Sequence, residues 1–87
     1  MDAATKTYDW ACGWVTMRWS DSWPCFDGIN VLSETAKAVR LQAESSKVSA
    51  WFPKSAFKMD KYGAYQPLPW FKKKMTHYEM MALGYGA

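Results

Sequence analysis

The chain has 87 residues, 49 % hydrophobic, 17 % aromatic and 22 % charged, with a formal net charge of +3. That length suits one small domain, and the composition excludes disorder along the whole chain. No apolar run nears the ~18–20 residues of a membrane span and no signal-peptide pattern opens the sequence, so membrane and secreted classes are not expected.

Residues 1–7 are small and polar and are expected to fray, leaving 8–87 as a single domain. Trp10–Trp19 reads as a strand with a two-residue period: Trp14, Thr16 and Arg18 on one face, Val15, Met17 and Trp19 on the other. Ser20–Gly28 follows as a loop, broken by Pro24 and Asp27-Gly28, and Ile29–Leu32 is a short second strand. Ala36–Ala43 alternates again, setting Val39 and Leu41 against Ala38 and Arg40. Glu44–Lys47 is a polar turn, after which Val48, Ala50 and Phe52 share one face while Ser49 and Trp51 share the other. Ser33-Glu34-Thr35 could instead open a helix through Ala43. The turn lying between two apolar runs, the second too short for a helix, favours a hairpin. Pro53 is expected to end ladder pairing, having no N–H to donate.

Lys58–Gln66 reads as a tyrosine-bearing loop around Tyr62-Gly63. Pro69 then suits a first helical position, and Phe71, Met75, Tyr78 and Ala82 recur as one helical stripe up to a stop at Gly84. Lys72, Lys73 and Lys74 fall in the first turns of that helix, where positive charge opposes the dipole. The expected fold is α+β: a small antiparallel sheet of three to five strands, curled or barrel-like, with one C-terminal helix.

The segments Lys37-Ala38-Val39, Trp51-Phe52-Pro53-Lys54-Ser55-Ala56-Phe57 and Pro69-Trp70-Phe71-Lys72-Lys73-Lys74 together carry a resemblance. They resemble a pattern found in small bacteriophage and mobile-element proteins, where W-[aliphatic]-P-K-S-Q-[aliphatic] leaves a strand and a proline–tryptophan segment with paired lysines follows. The resemblance spans roughly residues 36–74. Phe52 stands where an aliphatic residue is usual and Ala56 where glutamine is usual, so any role of that glutamine is absent. The resemblance implies a compact β-rich fold and a phage-like origin, and it supplies no catalytic residue.

Catalytic chemistry is not expected. His77 is the one conventional base, beside Tyr78 on a predicted helix, and the carboxylates are few and scattered. No glycine-rich phosphate loop precedes a helix. Cys12, Cys25 and His77 offer three metal ligands without a recognised spacing, where zinc needs four. The two cysteines could form one bridge, but nothing else suggests export and free thiols are expected. No metal and no cofactor are called for.

Fifteen aromatic residues would bury about 3,000 Å², well within the roughly 9,000 Å² that a chain of this size removes from water. Area alone therefore demands no ligand. Placement is more telling: Trp14 and Trp19 have opposite parity, as do Trp51 and Phe52. Either the sheet is covered on both faces, or one aromatic set is exposed. Charge is also uneven, with net −3 over residues 1–36 and +6 over residues 37–87. The candidate binding residues are Trp51, Lys54, Trp70, Lys72, Lys73 and Lys74, with Arg18 and Arg40. Trp, Tyr and Arg are the residues of protein-interaction hot spots, while rings beside cations also hold single-stranded nucleic acid. The favoured expectation is a cytoplasmic, phage-type interaction protein that binds and modulates a host protein or nucleoprotein machine, a CRISPR effector or another defence complex among them. The alternative is a small β-barrel that binds single-stranded DNA or RNA. A net charge of +3 is modest for affinity built on many phosphate contacts.

Overall fold

Two-residue alternation decides the middle of the chain. A computed structural model describes residues 10, 13–22 and 27–85, so the expectations for Met1–Thr7, Cys12, Pro24 and Cys25 lie outside the described residues. Strands β2 (Asp27–Glu34), β3 (Ala38–Ala43) and β4 (Ser49–Pro53) form an antiparallel meander. Residues 33–43 are therefore strand, turn and strand. Thr35 closes that turn, its hydroxyl accepting from the Ala38 amide at 3.0 Å. Val39, Leu41, Ala43 and Phe52 are fully buried while Arg40 and Trp51 face out, as the alternation requires.

Before the meander comes β1 (Trp14–Met17), shorter than the Trp10–Trp19 run and antiparallel to β2. Asp27 and Gly28, read as loop breakers, lie inside β2. The expected tyrosine loop is a hairpin of β5 (Phe57–Met59) and β6 (Tyr65–Pro67), too short to leave an alternation signal. The sheet thus has six strands among the described residues, in the order β4-β3-β2-β1-β6-β5, rather than three to five. It is also mixed rather than antiparallel, because β6 joins β1 in parallel through the Met17–Tyr65 pair. The curled half-barrel leaves β4 and β5 as edges.

Pro53 does not end the ladder. It pairs with Ala38, and beyond it the Lys54 amide still donates to the Lys37 carbonyl at 2.8 Å. In an antiparallel edge strand alternate N–H groups point away from the partner, and a proline there costs no ladder bond.

Two short helices replace the single one. Helix α1 (Pro69–Lys74) stops where Met75 turns extended, and α2 (His77–Ala82) starts afresh from Thr76. Thr76 Oγ1 accepts from the Glu79 amide at 3.1 Å, and Glu79 Oε1 accepts from the Thr76 amide at 2.9 Å. This capping box breaks the stripe, and Tyr78 is exposed. Because α1 ends at Lys74, Lys72–Lys74 occupy its last turn, where their charge suits the dipole. Gly84, at φ +85°, ends α2 as expected. The Tyr85 amide reaches the Met80 carbonyl and the Gly84 amide reaches Met81, a Schellman closure.

The helices cover the inner face of the sheet. Phe71 of α1 meets Phe52 edge-on and Phe57 at a tilt, at centroid distances of 5.9 and 6.2 Å, and Ala82 and Leu83 complete the core. Trp10 stacks on Tyr65 at 4.4 Å. Burying a ring such as Phe52 is worth about 3–5 kcal/mol against alanine. Ser46 at the β3–β4 turn donates to the Met81 carbonyl at 2.6 Å and ties the hairpin to α2.

Candidate functional site

Among the described residues no helix lies on the outer face of β1–β4. Register aligns Trp14, Asn30, Gln42 and Ser49 in a row across four strands, and Arg40 stands between Ser33 and Trp51 in the next. A register shift between Val31 and Ser33 inserts Leu32, so Leu32 and Ser33 both oppose Arg40. Large apolar side chains stay exposed on this face: Trp14 at 59 %, Trp51 at 48 % and Leu32 at 45 %.

Several of the polar side chains among them have partners within the fold. Asn30 donates to Glu44 at 2.6 Å, Gln42 to the Lys47 carbonyl at 3.0 Å, and Arg40 to Ser49 Oγ at 3.3 Å. Lys47 pairs with Glu44 at 3.2 Å. A face whose polar groups already have partners sacrifices few water contacts when a second surface covers it.

The eight residues singled out in the sequence do not form one surface. Trp51 and Arg40 are cross-strand neighbours on the outer face. Lys54, in the 3-10 turn after β4, is held by Glu34 at 2.6 Å. Trp70, Lys73 and Lys74 belong to α1 in the helical layer, with the Lys74 ammonium 5.4 Å from the exposed Trp70 ring. Lys72 turns back to the segment after β1, donating to the Trp19 carbonyl at 2.9 Å and lying 5.2 Å over its ring. Burial, and after it the nearby Lys58 charge, lower its pKa.

Arg18 requires a correction. The strand period puts it on the outer face with Trp14, yet it is only 6 % exposed. Its Nε and Nη2 donate to Asp60 Oδ2 at 3.2 and 3.1 Å, and the Tyr62 ring covers the guanidinium at 4.9 Å. Arg18 therefore joins the end of β1 to the β5–β6 hairpin and offers no binding surface. Leu32, Asn30, Gln42 and Ser49 were not among the candidates. Alternation already predicts their facing, Leu32 lying two positions from Asn30, whereas the bulge that brings Ser33 onto the same face leaves no local mark in sequence.

Among the described residues no cluster of three metal-ligating side chains occurs, and no helix is long and apolar enough to cross a membrane. The fold and this face define a small α+β protein with a curled mixed sheet. No protein-family model, curated protein or solved structure matches the chain.

Proposed function

We propose that this is a non-enzymatic interaction protein whose outer β1–β4 face docks on a protein partner, with Trp51 and Arg40 as anchors. The observation that carries this reading is the exposure of Trp51, Leu32 and Trp14 around an arginine on a sheet face that no helix of the described residues covers. Tryptophan and arginine dominate interface energetics when a partner seals them from water. Following the phage-like motif, the partner class is a host protein or nucleoprotein machine that the protein modulates, with defence complexes as the first candidates.

The charge pattern favours protein over nucleic acid. Arg40 is the only cation among the described outward residues of β1–β4, while Arg18, Lys54 and Lys72 are engaged within the fold. Backbone-tracking nucleic-acid sites use several free cations. Titrating the protein with a fluorescent single-stranded oligonucleotide at low salt tests this choice. Little binding is expected, and none that Trp51→Ala removes. Tight binding with a steep salt slope, abolished by Trp51→Ala, would overturn it in favour of nucleic acid.

A further inference from the structure

Of the two edge strands, β5 is guarded and β4 is not. Strand β5 is three residues long and carries the exposed Lys58, a length and a charge that discourage further pairing. Strand β4 has five residues, Ser49–Pro53, and none is charged. The lysines on either side of it are neutralised within the fold, Lys47 by Glu44 at 3.2 Å and Lys54 by Glu34 at 2.6 Å. Trp51, at its centre, is exposed.

Bonds to β3 fix which backbone groups of β4 point away from the sheet. The Ala43 amide donates to the Val48 carbonyl at 3.3 Å, and the Lys54 amide to the Lys37 carbonyl at 2.8 Å. Leu41 opposes Ala50 and Val39 opposes Phe52, so Val48, Ala50, Phe52 and Lys54 turn their backbone groups toward β3. Ser49, Trp51 and Pro53 turn theirs outward, and among the described residues no strand meets them. This outward set is symmetric about Trp51. An antiparallel copy of the same edge, centred there, sets Trp51 against Trp51 and Ser49 against Pro53. Each Trp51 amide then reaches the other Trp51 carbonyl, and each Ser49 amide the other Pro53 carbonyl. Pro53 lacks only the reciprocal donor, at the last rung of the ladder.

We propose that β4 pairs in this register with β4 of a second copy of this chain, forming a two-fold dimer whose sheet continues across the edge. Charge permits it. The paired strands are uncharged, and each Arg40 stands one strand back, so the two guanidinium groups lie about 14 Å apart. That exceeds the ~8 Å over which exposed charges act at physiological salt. The two Trp51 rings come side by side on the outer face as a cross-strand aromatic pair. Each copy thereby contributes a tryptophan to one continuous face, whatever that face docks upon.

Sedimentation equilibrium of the intact protein, up to about 1 mM, tests this. The mass is expected to rise with concentration from 10.0 kDa toward twice that value. In this register Ala50 and Phe52 of opposite copies form a close pair, with Cα atoms about 4.5 Å apart. An isotope-filtered NOE between their Hα protons is therefore expected in a mixed-label sample. Ser49→Pro removes an outward amide and no bond to β3, and Trp51→Lys sets two ammonium groups opposite each other. Each should weaken association about tenfold or more; Trp51→Lys, an exposed change, carries the comparison if Ser49→Pro unfolds. Leu32→Ser, on the same outer face but two strands in from β4, leaves association unchanged. A mass of 10.0 kDa at every concentration would overturn the proposal. So would a dimer lacking the Ala50–Phe52 contact, one that Leu32→Ser dissolves as Trp51→Lys does, or one that Trp51→Lys leaves intact.

Discussion

Asp60 accepts hydrogen bonds from Arg18, Gln66 and the amides of Tyr62 and Ala64. Desolvation alone would raise its pKa; the hydrogen bonds outweigh it and hold the carboxyl below its ordinary 3.8. The folded state thus binds fewer protons than the unfolded one at this group. Its contribution is present above the unfolded pKa and is lost as pH falls through the folded value. Asp27 works the other way, its pKa raised by desolvation, so its protonation favours the fold as acid is added. In Asp60→Asn the fall in melting temperature below a pH of about 4 should be shallower than in the parent; an identical slope would contradict this assignment. Arg18→Ala leaves Asp60 buried without its cation and should cost about 2–4 kcal/mol in urea unfolding. A loss under about 0.5 kcal/mol would mark a surface arginine instead. Nothing near Arg18 in sequence foretells this, since Asp60 lies 42 positions away. The opposite facing of Trp51 and Phe52, by contrast, follows from parity alone.

At the scale of elements, the β3–β4 hairpin was legible because both strands alternate and a polar turn divides them. In the helical region the Phe71–Met75–Tyr78–Ala82 stripe suggests one helix, but the spacing of Thr76 and Glu79 marks a new helix start within it. Three lysines in the early turns of a long helix would oppose its dipole, a conflict that α1 ending at Lys74 removes. Thr76→Ala should destabilise by about 1 kcal/mol, which in a domain of this size lowers the melting temperature by about 4–8 °C. Unchanged melting would mean that α1 and α2 behave as one continuous helix. Gly84 has a double constraint: its φ of +85° disfavours side chains, and an added Cβ would collide with the Asp27 carboxylate.

The whole molecule is a four-strand antiparallel unit and a two-strand hairpin, joined where β1 meets β6. One register pair and the Arg18 amide bond to the Tyr65 carbonyl, at 2.9 Å, make that parallel seam, with the Arg18–Asp60–Gln66 network beside it. Backbone amides of β5 and β6 should therefore exchange with deuterium before those of β2 and β3; uniform protection across all six strands would refute this division. The seam is illegible in sequence because Met17 and Tyr65 lie far apart and β6, three residues long, does not alternate long enough to announce itself. The helices cover the inner face only, so the aromatic surplus is divided: Phe52, Phe57 and Phe71 fill the core, while Trp14 and Trp51 remain outside. Docking through that outer face is the central claim. Its most direct test is quantitative capture from extract of the encoding cells, comparing the intact protein with a Trp51→Ala/Leu32→Ser variant and with Trp70→Ala, all at matched melting temperature. The account predicts a protein partner retained by the parent and by Trp70→Ala but lost from the double variant. Equal retention by all three, or loss only with Trp70→Ala, would contradict it.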